Sequence, residues 1–126
     1  MIKELDYLVY PSDIKTISVE DDDIYGGAHN YSINSCLGFN NGETEYVTNY
    51  DVKIPFIKKT DEGEIIPGVQ SEQLVYVLLD RAVKLNNRFP SIQNQKMIDG
   101  LNMFLDACKE RVEERIARGV MGELKK

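Results

Sequence analysis

Arg111, Arg115 and Arg118 recur at steps of four and three near the C-terminal end of the chain. At about 100° per residue this spacing lines them along one edge of a helix, together with Phe104 and Met97. A guanidinium is a rigid fork of donors that matches phosphate oxygens, so two of them one turn apart beside a ring could hold a phosphorylated, base-bearing molecule. Arg88, Phe89 and Asn94, in the break before this helix, add a further cation, a second ring and an amide. The same arginines have a plainer use. Glu114 stands four residues before Arg118 and three after Arg111, spacings at which surface helices carry ion pairs.

Other chemistry is scarce. His29 is the single histidine, so a Ser-His-Asp or Cys-His arrangement would need it beside Cys36 or a loop serine. Positions 29 and 36 differ by an odd number, and a regular strand would point them to opposite faces. Glu20, Asp21, Asp22 and Asp23 offer oxygen ligands for a divalent cation, although a solvated loop is the commoner use of such a run. Cys36 and Cys108 form no Cys-x-x-Cys and have no neighbouring histidine, which leaves neither a zinc site nor a disulfide framework to predict. No phosphate-cradling glycine loop is present; Gly26, Gly27, Gly38 and Gly42 read as turns. A binding protein without metal or cofactor is the expectation.

With 15 basic against 21 acidic residues the net charge is −6, so nucleic-acid polymers and anionic membranes are repelled and an anionic ligand has to be small and locally bound. No stretch approaches the roughly 20 apolar residues that span a bilayer, and the N-terminal MIKELDYLVY lacks the apolar run of a signal peptide. The expectation is a chain that stays where it is made. Its 126 residues, 42% hydrophobic and 29% charged, suit one globular domain.

The elements that must position the arginines divide into two kinds. Residues 1–70 read mainly as strands. Leu5, Leu8 and Val9 give a short lead-in closed by Pro11, and Ile17 and Val19 a brief strand. Residues 29–37 alternate, Asn41-Gly42 signals a type I′ hairpin turn, and residues 43–58 return with Thr44, Tyr46, Thr48, Tyr50, Val52, Ile54 and Phe56 on one face. Ile65 and Ile66 follow a turn at Asp61-Glu62-Gly63.

Residues 71–118 read as two helices. Ser71 is the expected N-cap of the first, whose apolar face is Leu74, Leu78, Ala82 and Leu85 flanked by Val75, Leu79 and Val83. Asn86, Asn87 and Pro90 break the helix and Ser91 caps the second. Its seam is Ile98, Leu101, Leu105, Cys108, Val112 and Ile116, and its interior Gly100 marks either close backbone approach or, equally, a tolerated glycine. Residues 119–126 read as an extended tail. Strands first and helices last predict an α+β domain, an N-terminal antiparallel sheet packed on a C-terminal two-helix hairpin. The surplus of apolar surface predicts a symmetric homo-oligomer.

Several stretches resemble the first type of phage Thoeris anti-defence protein. They are SEQLVYVLLDRAVKLNNRFPS, SCLGFNNGETEY, VKIPFIKKTDEGEIIPG and the ending ERIARGVMGE. This ending looks like the family's R-x-x-R-x-x-R-G-V-x-G, carried here by Arg111 or Arg115, Arg118, Gly119, Val120 and Gly122. The likeness runs from about Ile24 onward, with Phe104 where many relatives have tryptophan and MGELKK in place of a histidine-bearing end. It implies a sponge rather than an enzyme. Such a protein sequesters, intact, the glycocyclic ADP-ribose signal that bacterial TIR-domain proteins make from NAD on infection, in the host bacterial cytoplasm. It further implies a homodimer or a higher oligomer such as a hexamer, a pocket closed by a neighbouring protomer's tail, and, in some relatives, separate pockets for small cyclic oligonucleotides. The ligand-binding residues expected are Arg111, Arg115, Arg118, Asn94, Arg88, Phe104 and Phe89. Two other classes stand beside this one: an enzyme cleaving the same signal with His29 and the acids at 20–23, and an acidic protein-binding inhibitor.

Overall fold

The structure, a computed structural model, describes residues 2–21 and 27–119. An antiparallel sheet is followed by a pair of helices, as the order of the sequence patterns predicts for an α+β fold. The chain divides into two compact units, Met1–Val69 and Gln70–Lys126. Asp22, Asp23, Ile24 and Gly26, and the predicted tail beyond Gly119 with Val120 and Gly122, lie outside the described residues. The side chain of Thr48 does too. No helix among the described residues is long and apolar enough to cross a membrane.

The first unit carries a four-stranded sheet in the order β1 (Lys3–Glu4), β2 (Ile17–Val19), β3 (Asn30–Asn40), β4 (Glu43–Pro55), each strand antiparallel to the next. Asn41 and Gly42 turn the β3–β4 hairpin with φ of 53° and 82°, the two positive values a type I′ turn requires. Val19, 2% exposed, is the centre of the apolar packing. It pairs with Tyr31, which pairs in turn with Ile54 and meets Phe56 edge to face at 5.5 Å.

The single even-numbered face predicted for residues 43–58 does not persist. Asn34 pairs with Asp51 but the next residue, Ser35, pairs with Val47, so residues 48–50 are skipped in the β3–β4 register. An odd number of extra residues reverses which parity faces which side, and separates Thr44 and Tyr46 from Val52 and Ile54. The strand also stops at Pro55, which has no N–H to continue a ladder. Beyond it Phe56 N–H donates to His29, Ile57 N–H to Val69, and β5 (Lys58–Lys59) pairs with β6 (Ile65–Ile66) around Gly63. Close backbone approach occurs here rather than at Gly100. A Cβ on Gly68 would overlap the backbone of Phe56 and Ile57, whereas one on Gly100 meets nothing within 4 Å.

The second unit is a helical hairpin of α1 (Ser71–Arg88) and α2 (Ile92–Ala117), which pack on each other. Gln70, not Ser71, is the N-cap of α1, and its N–H donates to Gln73 Oε1 at 2.8 Å. A glutamine at the third helical position reaches back to the cap this way, which makes Ser71 the first helical residue. Ser91 caps α2 as expected, accepting from Asn94 N at 2.9 Å.

Apart from Leu74, which is also half-buried, the less exposed positions are Glu72, Val75, Leu79, Ala82 and Asn86 on α1, and Asn94, Ile98, Leu101, Leu105, Cys108, Val112 and Arg115 on α2. Both series advance by alternating threes and fours, the spacing of a coiled-coil seam. On α1 the line runs through Val75 and Ala82; of the predicted face Ala82 is buried and Leu74 half-buried, whereas Leu78 and Leu85 are exposed. On α2 the last seam position is Arg115, 9% exposed, and Ile116 faces outward.

Candidate functional site

Antiparallel helices joined at residues 89–91 bring the start of α1 beside the C-terminal half of α2. A cavity of about 320 Å³ opens there, lined by Ser71 and Glu72 from α1 and by Phe104, Cys108, Arg111, Val112 and Arg115 from α2. Three of the seven predicted site residues, Phe104, Arg111 and Arg115, therefore share one cavity. Helical phase is the reason. Phe104, Arg111 and Arg115 follow at steps of seven and four, which keeps ring and guanidinium groups on one edge of the seam.

The two arginines differ in setting. Arg111 is exposed and, among the described residues, makes no ion pair. Arg115 is buried. Arg118, the third of the series, is held by Glu114: its Nη2 donates to Glu114 Oε2 at 3.1 Å and its Nε to the other oxygen. This is the predicted i, i+4 pair, and Arg118 does not line the cavity.

Arg88, Phe89 and Asn94 lie at the opposite end of the hairpin. Arg88 stands over the Phe89 ring at 5.2 Å from its centroid, and Asn94 Nδ2 donates to Phe89 O at 2.8 Å. Seventeen residues of helix, at 1.5 Å each about 25 Å, separate Asn94 from Arg111, so within one chain the predicted residues form two groups. Glu72 and Ser71 were not predicted as site residues. A signal for them was present, because a turn centred on Pro90 sets residue 72 across from residue 108.

The first unit gathers a different set of polar groups. Asp21 accepts from His29 N at 2.9 Å, Asn30 N at 2.7 Å, Asn30 Nδ2 at 2.8 Å and Lys58 Nζ at 3.5 Å. Burial alone would raise its pKa, and these donors outweigh it and hold the carboxyl down at about 2. His29 is buried, and its Nδ1, 3.9 Å from Asp21 Oδ2, has no hydrogen-bond partner among the described residues. A carboxylate so fully engaged ties the entry of β3 to β5, which is a structural task. Among the described residues no three His, Cys, Asp or Glu gather as metal ligands.

The chain matches no protein-family model and no curated protein sequence.

Proposed function

We propose that this protein is a phage anti-defence sponge that binds the glycocyclic ADP-ribose signal of bacterial TIR-domain proteins and holds it without degrading it. It acts in the cytoplasm of the infected host, where removal of the signal leaves the Thoeris effector inactive. The observation that carries this reading is the shared cavity of Phe104, Arg111 and Arg115. Two guanidinium groups one turn apart suit the oxygens of a diphosphate, and the ring beside them offers a face for a base. Two arginines at one cavity of a chain with net charge −6 favour a small anion over a polymer.

At about 320 Å³ the cavity is at the lower end of small-molecule sites, which run from about 300 to 1,000 Å³. A dinucleotide-sized ligand would extend beyond it, and a second copy would enclose the rest. Arg88, Phe89 and Asn94, about 25 Å away along α2, would reach the same ligand only from such a copy. The exposed apolar side chains of the hairpin, among them Leu78, Leu85 and Met103, support a homo-oligomer. Relatives that hold small cyclic oligonucleotides make these a second ligand class to try.

The test is to mix the purified protein with the TIR-derived signal, wash, denature the complex and weigh the released molecule by mass spectrometry. Recovery of the unchanged cyclic species is expected. Recovery of linear ADP-ribose would make the protein a cleaving enzyme, and recovery of nothing would remove the signal as the ligand of this cavity.

A further inference from the structure

The cavity that holds two arginines also holds a carboxylate. Glu72, half-buried at the start of α1, lines it with Arg111 and Arg115. An acid beside a phosphate site weakens phosphate binding through like charge unless it has a partner of its own on the ligand. A carboxylate only accepts hydrogen bonds, so that partner has to be a donor. On a diphosphate ester the donors nearest the phosphorus atoms are the hydroxyls of the riboses esterified to them, and the amino group of a base lies a ring further away. The two oxygens of one carboxylate match two adjacent hydroxyls, the geometry by which acidic residues hold ribose diols in nucleotide sites.

We infer that Glu72 is the specificity-determining residue of this cavity, accepting from the vicinal diol of a ribose whose phosphate is held by Arg111 and Arg115. The inference rests on the phosphate reading of the cavity proposed above and adds the substrate class, a ribose phosphate with its diol free. A ribose–ribose ring closure consumes the anomeric carbon of one sugar and a hydroxyl of the other. The first sugar therefore keeps both neighbouring hydroxyls, and the proposed signal meets this requirement. Inorganic phosphates and polyanions without a diol meet the same carboxylate as a repulsive charge, so one residue selects for the sugar and against simple anions.

The experiment measures equilibrium binding of two probes to the full chain and its Glu72→Gln variant by titration calorimetry. ADP-ribose carries the diphosphate and free diols; inorganic pyrophosphate carries the phosphates and no vicinal diol. Opposite responses are expected: ADP-ribose binding falls by about tenfold or more, the usual consequence of losing hydrogen bonds to a charged group, and pyrophosphate binding is unchanged or tighter. An ADP-ribose affinity that Glu72→Gln leaves unchanged, or that rises together with pyrophosphate, overturns the inference.

Arg111→Ala is the control and should weaken both probes. If it weakens neither, or if the wild-type chain binds neither probe, the phosphate reading fails and this inference fails with it. A chain that binds both probes as expected but retains none of the TIR-derived signal overturns only the sponge function and leaves the diol reading of the cavity standing.

Discussion

Arg111 and Arg115 line the same cavity, but their different burial separates what each substitution should do. Arg111 is exposed, so Arg111→Ala should change stability by no more than about 0.5 kcal/mol and still reduce signal retention by about tenfold or more, the effect of losing charge-assisted hydrogen bonds. Arg115 is 9% exposed, and Arg115→Ala should reduce retention and also cost about 1–3 kcal/mol of stability, because its neighbours lose a buried partner. Thermal melts of the two variants beside the retention assay check this. Equal melts, or unimpaired retention in Arg111→Ala, would remove the distinction. Asp21 carries a separate prediction. Its carboxyl sits at about 2 against an ordinary 3.8, so folding favours the ionised form, and the contribution is fully present above pH 4 and lost as the pH falls from about 4 toward 2. By linkage it amounts to about 2 kcal/mol. Asp21→Asn should lose that amount at neutral pH and flatten the stability profile across this acid window, as read by urea unfolding at successive pH values.

At the scale of elements the two glycine environments make opposite predictions. Gly100 lies in the interior of α2 with open space where a Cβ would go, so Gly100→Ala should stabilise by about 1 kcal/mol through helix propensity alone. A Cβ on Gly68 would run into the backbone of Phe56 and Ile57, and Gly68→Ala should destabilise by about 1–3 kcal/mol. Melting curves that failed to move in opposite directions would sink both arguments. The contrast also explains what the sequence could and could not reveal. Asn41-Gly42, the Ser91 cap and the heptad-like seam of α2 were readable because each depends on local conformation or on a periodicity written in one segment. Close approach at Gly68 depends on which distant strand runs past it, and the reversal of face in β4 depends on the slip at residues 48–50; neither leaves a mark in its own segment. For the site, Phe104, Arg111 and Arg115 were legible as one edge of one helix. Glu72 needed the hairpin to be folded in the mind first, and Arg88, Phe89 and Asn94 looked close to the arginines only because one helix connects them.

For the whole molecule, charge and apolar surface pull in opposite directions. The hairpin exposes Tyr76, Val77, Leu78, Leu85 and Met103, more than single scattered apolar residues on one small unit, and burial against a second copy would gain about 25 cal/mol for each Å² covered. Two copies with a net charge of −6 each repel, and salt screens that repulsion over a Debye length of about 10 Å at 0.1 M. Self-association should therefore strengthen as salt rises. Binding of the diphosphate to Arg111 and Arg115 is an attraction between opposite charges and should weaken over the same range. Sedimentation equilibrium gives the first as a mass of at least twice 14.4 kDa, and retention of the signal in the same buffers gives the second. Leu78→Lys, which puts a charge on the exposed stripe of α1, should return the mass toward one chain. If the ligand spans two copies, this variant should also lose retention although it touches neither arginine. A mass of one chain under every salt condition with the signal still retained would show that one cavity suffices, and Arg88, Phe89 and Asn94 would then have no part in holding the ligand.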